Sequence, residues 1–254
     1  MLTERTEFLG VWFDRLDLAA VVGQLTAARA DAGYRYVVTP NTDHLVRLSE
    51  EPAGSPVRAA YCAADLCLCD SRVVALLAGL KGIDLPVVTG SDLTAMLFER
   101  IIAPGDRIAI VGGSTGMVNR LQGRFPGTTI LHHEAPMGLR ENAAARLAAA
   151  RFVAEAKSRF VFIAVGSPQQ ELIAAGAAKL TASGIALCVG AALEFLTDDQ
   201  QRAPALIRRA RLEWAYRLAS DPRRLWRRYL VEGPKIFCMA WHWKPAADSA
   251  AKPS

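Results

Sequence analysis

The sequence lacks features that would mark a membrane-spanning, secreted or zinc-binding protein. No run of about 18 apolar residues occurs, the length that a membrane-spanning helix needs, and the first residues, MLTERTEF, contain no apolar signal region. The five cysteines are odd in number and lie in apolar stretches, so we predict buried thiols of a cytosolic protein and no disulfide framework. Cys67 and Cys69 alternate with leucines, which is not a zinc-ligand spacing, and we expect neither a metal nor a cofactor.

Acidic residues are scarce in one segment near the C-terminus, Arg202–Leu230. It holds nine arginines, no lysine and two acids, a local charge of +7 in a chain of +5, so the remainder sums to −2. Arginine presents a planar fork of donors that suits phosphate groups. Tryptophan and tyrosine interleave with these arginines, which favours a diphosphate-binding or anionic-membrane surface over a merely solvated basic helix.

Apolar strand-like runs alternate with helical segments through the rest of the chain. Tyr34–Thr39 and Phe160–Val165 are typical of such strands, and segments with helical spacing separate them. This alternation predicts an α/β fold with a largely parallel, doubly wound sheet. We expect an α/β core over residues 1–204, a helical appendage over 205–244 and a loose tail over 245–254.

Polar residues follow the first predicted strands, and ligands of such sheets bind at the carboxyl ends of strands. Thr39 and Asn41 offer a hydroxyl and an amide that suit sugar hydroxyls or an N-acetyl group. Asn41 suits equally well the cap of the next helix. Asp70 directly follows the apolar run LCLC. A carboxylate there is a candidate general base, with a helix-capping role as the alternative.

A glycine-rich loop follows the strand that ends at Val111. Gly112, Gly113 and Ser114 begin the loop, where backbone N–H groups could approach a phosphate at a helix N-terminus. The spacing differs from the GxGxxG dinucleotide motif. Glu134 lies roughly 20 residues further on, as the ribose-binding acid does in dinucleotide sites, so a nicotinamide cofactor stays open as an alternative.

Two later strands also end in candidate ligand-binding residues. Gly166 forms a turn, and Gln170 lies in the first turn of the helix that follows. Its amide could contact a nucleobase edge or a ribose, or could simply begin an exposed helix. Glu194 is a further carboxylate at a strand end.

These motifs, taken in order, resemble the WecG/TagA/CpsF family of glycosyltransferases, glycosyltransferase family 26. They are TPNTDHLV, the strand ending in Asp70, TGSDL, IVGGSTG, VGSPQQE and RLEWAYRLASDPRRLWRRYL, within about residues 8 to 238. The resemblance implies a Rossmann-like fold and a metal-independent hexosyltransferase. It implies inverting transfer from a UDP-sugar to an undecaprenyl-diphosphate-linked glycan in bacterial cell-surface polysaccharide synthesis. It also implies peripheral association with the inner, anionic face of the cytoplasmic membrane.

The resemblance assigns roles to individual residues. Asp70 corresponds to the proposed catalytic base, Thr39 and Asn41 to residues near the sugar and acceptor, and Gln170 to the nucleotide pocket. Appendage arginines that neutralise the donor diphosphate correspond to Arg217, Arg224 and Arg227. An inverting transfer needs a carboxylate for the acceptor proton and positive charge for the leaving diphosphate, and these residues supply both.

Several positions depart from the family's usual pattern and leave the donor sugar open. Ser71 follows Asp70 where glycine is usual, Val87 and Val88 stand where arginine is frequent, and Glu194 lies in a turn that usually reads Gly-Phe-Asp-Phe. N-acetylmannosamine, its uronic acid and glucose all stay possible as the donor sugar.

The alternatives to a glycosyltransferase are a nicotinamide-dependent oxidoreductase and a non-enzymatic membrane-surface module. Nucleic acid is disfavoured because the basic charge is confined to one segment, and a homo-oligomer is left open.

Overall fold

A computed structural model of the protein describes residues 4–27, 33–180, 182–197 and 233–245. The strands are β1 (Arg5–Phe8), β2 (Val11–Asp14), β3 (Arg35–Val38), β4 (Leu66–Cys67), β5 (Arg107–Gly112), β6 (Thr129–His133), β7 (Phe160–Ala164) and β8 (Ile185–Cys188). The last six form one sheet in the order β4-β3-β8-β7-β5-β6, and every neighbouring pair is parallel. This confirms the predicted α/β fold with a parallel sheet.

Helices cover both faces of this sheet. They are α1 (Leu18–Thr26), α2 (Thr42–Glu50), α3 (Pro56–Cys62), α4 (Arg72–Gly79), α5 (Gly90–Met96), α6 (Thr115–Arg124), α7 (Ala143–Glu155), α8 (Gln169–Ala178), α9 (Ala192–Leu196) and α10 (Lys235–His242). A π-helical turn, Leu97–Ile101, follows α5. Adjacent strand residues point to opposite faces, so Val37 packs in one apolar cluster and Val38 in the other. Because both faces are buried, these strands are almost continuously apolar.

The β1–β2 hairpin protects the edge of the sheet at β4. Asp14 is almost completely buried, and its Oδ2 accepts a hydrogen bond from the backbone N–H of Cys67 at 2.8 Å. Its other oxygen accepts from Arg5 Nε at 2.8 Å, which balances the buried charge. Arg5 also donates to the backbone oxygen of Asp65 at 2.6 Å. The hairpin therefore satisfies backbone groups that an edge strand would otherwise expose.

The direction in which successive strands are added to the sheet reverses between the neighbouring strands β5 and β7. β5 connects through α6 to β6 on one side, whereas β7 connects through α8 to β8 on the other. Such a reversal opens a crevice at the carboxyl ends of the strands, where ligands of open α/β sheets bind. The sequence predicted the six strands of this sheet and placed the candidate site at their carboxyl ends. It did not predict the order of the strands.

The last segment that the structure describes, residues 233–245, packs onto the core. In α10, which contacts α2 and α4, Ile236 is fully buried. The ring of Trp243 packs edge-on against Phe8, with 5.1 Å between the ring centroids, and its Nε1 donates to Glu7. Lys235 pairs with Glu50 at 2.7 Å. The predicted appendage boundary at 205 and the tail beyond 245 lie outside the described residues, and both stay predictions.

The cysteine prediction is partly wrong. Cys67, Cys69 and Cys188 are buried, and burial raises the pKa of the Cys69 thiol to about 12, which keeps it protonated and unreactive. Cys62 and Cys238, in contrast, are exposed, because their helices turn those positions outward; all five are free thiols. Within the described ranges, no helix has the length and apolarity to cross a membrane.

Candidate active site

Asp70 lies half-buried at the carboxyl edge of the sheet, beyond the end of β4. Its backbone N–H donates to the carbonyl of Pro40 at 3.0 Å, and its Oδ2 accepts from the backbone N–H of Gly90 at 3.1 Å. Gly90 begins α5, so the positive end of that helix dipole faces the carboxylate. These contacts hold the carboxylate of Asp70 in a fixed orientation at the sheet edge.

The hydroxyl of Thr39 and the carboxylate of Asp70 both lie close to Gly90. A Cβ atom at position 90 would lie 3.1 Å from Thr39 Oγ1 and 3.6 Å from Asp70 Oδ2. The hydroxyl of Thr39 donates to the carbonyl of Cys188 at 3.1 Å, which links the ends of β3 and β8. The structure therefore brings the hydroxyl of Thr39 and the carboxylate of Asp70 together at one edge of the sheet, and sugar binding there stays a prediction.

Ser71, and not Asp70, caps α4. Its Oγ accepts from the backbone N–H of Val74 at 3.2 Å and lies 2.9 Å from the hydroxyl of Thr42. The capping alternative for Asp70 is therefore wrong, because the chain reaches the helix one residue later. The departure from the usual glycine at position 71 supplies this cap.

Asn41 does cap a helix. Its Oδ1 accepts from the backbone N–H groups of Asp43 and His44 at 3.0 and 3.3 Å, at the beginning of α2. The capping alternative is confirmed for the side-chain oxygen, and the cap does not use the side-chain nitrogen, Nδ2. A contact of Nδ2 with sugar or acceptor stays a prediction, at the strand end beside Thr39.

Gln170 is buried, with 2% of its surface exposed. Its Oε1 accepts from the backbone N–H of Gly190 at 2.9 Å, and its Nε2 donates to Glu171 Oε1 at 2.9 Å. The alternative of an exposed helix starter is therefore wrong. The side-chain oxygen therefore links the first turn of α8 to the loop after β8, and a contact with the nucleotide stays a prediction.

Glu171 lies beneath this pair with none of its surface exposed. Burial raises the pKa of its carboxyl group, and the hydrogen bond from Gln170 opposes that rise. Among the described residues, Glu171 Oε2 has no hydrogen-bond partner of good geometry. The neighbouring hydroxyls of Tyr61 and Ser167 lie 3.2 Å from each other. Glu171 thus belongs to a buried polar cluster that supports the strand-end loops.

The glycine-rich loop after β5 packs tightly against the protein itself. Gly112 and Gly113 have φ angles of +88° and +70°, and Ser114 caps α6 by accepting from Met117 N–H at 3.2 Å. A Cβ at Gly112 would lie 2.8 Å from the backbone oxygen of Ala164. Internal packing accounts for these glycines, and phosphate binding here stays a prediction.

Gly166 and Glu134 occupy the neighbouring strand ends. Gly166, at the end of β7, has a φ of +78°, a conformation that favours glycine. Glu134 follows β6, and its Oε2 accepts from Thr115 Oγ1 at 2.9 Å. Its position matches the ribose-binding acid of dinucleotide folds, but its carboxylate binds the first turn of α6.

Glu194 lies in the short helix α9, directly after β8, and is half-buried. This helix packs against α5, the helix that begins at Gly90. The structure therefore places Glu194 at the predicted edge, on the side of the sheet that carries α5.

The predicted diphosphate ligands Arg217, Arg224 and Arg227 lie outside the described residues. Within the described part of the chain, no three His, Cys, Asp or Glu side chains are grouped as metal ligands.

An open groove of about 650 Å³ lies between α4, which begins two residues after Asp70, and the segment that precedes α5. Its lining consists of Arg72, Ala75, Leu76, Gly79, Gly82, Ile83, Asp84, Leu85 and Val87. Sequence reasoning missed this groove, and it gave no individual role to Gly90 or Glu171. Gly90 is in the motif TGSDL and Glu171 in VGSPQQE, and that membership was the only signal available for either residue.

Comparison with known proteins agrees with these motifs. A curated relative from Bacillus spizizenii, N-acetylglucosaminyldiphosphoundecaprenol N-acetyl-beta-D-mannosaminyltransferase, is 26% identical over 201 residues, covering 77% of this chain and 74% of its own. Residues 6–249 match the glycosyl transferase WecG/TagA/CpsF family. With a parallel α/β sheet whose carboxyl edge carries Thr39, Asp70 and Gly90, and with a family match over nearly its whole length, the chain belongs to the WecG/TagA/CpsF family of glycosyltransferases.

Proposed function

We propose that this glycosyltransferase moves an N-acetylmannosamine-type sugar from a UDP-sugar to a polyprenyl-diphosphate-linked glycan, with inversion at the anomeric carbon. The name of the Bacillus relative supports both the sugar and the lipid-linked acceptor. The product would enter cell-surface polysaccharide synthesis. Family membership weighs against the alternatives of an oxidoreductase and of a non-enzymatic membrane module.

The orientation of Asp70 carries this proposal. Its carboxylate is half-buried, fixed by the N–H of Gly90, and close to the hydroxyl of Thr39. In the proposed step, Asp70 takes the proton of the acceptor hydroxyl, and the hydroxyl oxygen attacks the anomeric carbon of the donor. The bond from that carbon to the diphosphate breaks, and UDP leaves with the electron pair. Attack from the face opposite UDP inverts the configuration.

The leaving diphosphate needs positive charge. We propose that Arg217, Arg224 and Arg227 provide it, since arginine binds phosphate oxygens in a bidentate geometry without a divalent cation. The other arginines of the segment would contact anionic lipid, where each basic residue contributes about 1 kcal/mol. The enzyme would then act at the inner face of the cytoplasmic membrane, where its acceptor is anchored.

Replacement of Asp70 by asparagine tests the proposed base. Asparagine keeps an oxygen that can accept from Gly90 N–H but cannot take up a proton at neutral pH. We expect turnover to fall by about 10²-fold or more, measured as radiolabel transfer from UDP-N-acetylmannosamine to a lipid-diphosphate acceptor in the presence of EDTA. The rise in melting temperature that UDP causes should stay near wild type, because the change leaves donor binding intact.

Asp106→Asn is the matched control. Asp106 lies before the amino end of β5, at the opposite edge of the sheet, where it pairs with Arg159 at 3.0 Å. We expect this variant to keep near-normal turnover. Near-normal turnover in Asp70→Asn would remove Asp70 from the role of base. Stabilisation of the wild type by NAD instead of UDP would overturn the proposed donor.

A further inference from the structure

The groove between α4 and the segment that precedes α5 has one charged end and one apolar wall. On α4 its lining side chains recur at helical spacing, with Arg72 at the beginning of the helix and Leu76 one turn later. Ile83 and Leu85 supply the opposite wall, and Asp84 lies at the rim, where its carboxylate is 3.9 Å from Arg15. This arrangement suits an amphiphilic ligand with an anionic head near Arg72.

The charged end of the groove is formed by residues that adjoin the proposed catalytic carboxylate along the chain. Arg72 follows Asp70 by two residues. The groove residue Val87 forms a bridge with Cys69, and the backbone N–H of Val88 donates to the carbonyl of Cys69 at 2.9 Å. The chain then continues to Gly90, which binds Asp70. A ligand head bound at Arg72 would therefore lie beside the atoms that bind the acceptor hydroxyl.

The other end of the groove leads to large apolar side chains in contact with solvent. Leu76 is 51% exposed, and Leu80, which directly follows α4, is 75% exposed. Lys81 Nζ donates to the carbonyl of Trp241 at 3.4 Å, and Trp241 itself is 81% exposed. A cluster of exposed large apolar residues on a soluble surface marks a binding site or a membrane contact.

We propose that this groove binds the lipid side of the acceptor, with the diphosphate at Arg72 and the prenyl chain along Leu76 and Leu80 towards Trp241. The proposal rests on the proposed function, which supplies the prenyl diphosphate as ligand. Residues 72 to 80 cover about 12 Å at 1.5 Å per residue, which accommodates the first isoprene units. Beyond Trp241 the chain would continue into the bilayer.

Two acceptors that differ only in prenyl length provide the test, one with a dimethylallyl chain and one with a geranylgeranyl chain. Replacing Leu76 and Leu80 together by glutamine should raise KM for the long acceptor about tenfold or more, because it removes apolar contact area. KM for the short acceptor and turnover should stay within about twofold of wild type. Arg72→Gln should raise KM for both acceptors and leave stabilisation by UDP unchanged.

Met137 and Leu147 offer a matched control, since both are exposed apolar residues outside the groove. Replacing both by glutamine should leave the ratio of the two KM values at the wild-type level. An unchanged ratio in the Leu76 and Leu80 variant, or an equal change in the control, would overturn the proposal.

Direct binding of fluorescent geranylgeranyl diphosphate, measured without UDP-sugar, separates this proposal from the proposed function. If the wild type transfers no sugar but loses this binding when Leu76 and Leu80 are replaced, the groove stands and the transferase reaction is wrong. If transfer occurs and the replacements change neither binding nor the KM ratio, the reaction stands and the groove is wrong.

Discussion

The carboxyl group of Glu171 is removed from water by its position in the first turn of α8. Its Oε1 accepts from Gln170, while Oε2 lacks a well-placed partner among the described residues. An ionised carboxylate in such a place is costly, and burial raises its pKa. The same group, when protonated, can still accept from Gln170. A neutral Glu171 therefore keeps its hydrogen bond with Gln170, which in turn binds Gly190, without the cost of a buried charge.

We predict that Glu171→Gln stabilises the protein increasingly as pH rises. Because the pKa of Glu171 in the folded protein is raised, its contribution is fully present below the unfolded-state pKa of about 4.3. That contribution is lost as pH rises through the folded-state value. Glutamine does not ionise, so the gain should reach on the order of 1 kcal/mol at pH 8 and shrink towards pH 5, measured by urea unfolding.

The exposed Glu155, at the end of α7, provides the control for this charge effect. Glu155→Gln should show no comparable gain between the two pH values, because its carboxylate stays in water. A stability change in Glu171→Gln that is the same at both pH values would show that ionisation of the buried group is not what limits stability.

At the scale of elements, the same short loops begin the helices and build the site. Asn41, Ser71, Thr89 and Ser114 each cap the helix that follows their loop. A capped N-terminus also directs backbone N–H groups towards the carboxyl edge of the sheet, as Gly90 does towards Asp70. Local helix stability and the geometry of the site are therefore coupled in these loops.

Replacement by alanine should lower the free energy of unfolding by different amounts at two glycines that lie at neighbouring strand ends. A Cβ at Gly112 would lie 2.6 Å from Val165 Cγ1 and 2.8 Å from the backbone oxygen of Ala164. At Gly166, no heavy atom of the described residues beyond its two chain neighbours lies within 4 Å of that position. We expect Gly112→Ala to cost about 3 kcal/mol or more, and Gly166→Ala about 1 kcal/mol from its positive φ alone.

Urea unfolding of both alanine variants measures this difference in the free energy of unfolding. Gly166→Ala is the internal control, because it changes the backbone preference without adding a clash. Equal losses at the two positions would mean that close packing against β7 is not the reason for glycine at 112.

At the scale of the whole molecule, charge is unevenly distributed along the chain. The segment 202–230 carries +7 and everything else −2. A diphosphate needs a few arginines in fixed positions, whereas a lipid surface responds to summed charge and is screened by salt. The arginines of this segment can therefore divide between two tasks.

We predict that Arg224→Ala abolishes transfer while binding to anionic liposomes changes little. Replacing Arg208, Arg209 and Arg211 together by alanine should do the reverse, because three charges contribute about 3 kcal/mol near an anionic surface. Liposome sedimentation and transfer to a soluble short-chain acceptor measure the two properties separately. Parallel loss of both properties in both variants would show that the segment acts as one undifferentiated basic surface.

The sequence by itself determined the class of fold, the family and the location of the candidate base. Buried parallel strands need apolar residues on both faces, so Phe160–Val165 is recognisable without its neighbours. Asp70 stands out for a related reason, because it is a charged residue directly after an apolar strand. The motif RLEWAYRLASDPRRLWRRYL marks the family through its order of residue types alone.

Only the tertiary structure decided which groups meet. The strand order follows from non-local pairing that no local pattern encodes. Asn41 and Asp70 had the same capping alternative, and the backbone path gave the cap to Asn41 in one case and to Ser71 in the other. The contact of Asp70 with Gly90 spans 20 residues. It arises because separate strand and helix ends converge at one edge of the sheet, and packing of the whole core fixes that convergence.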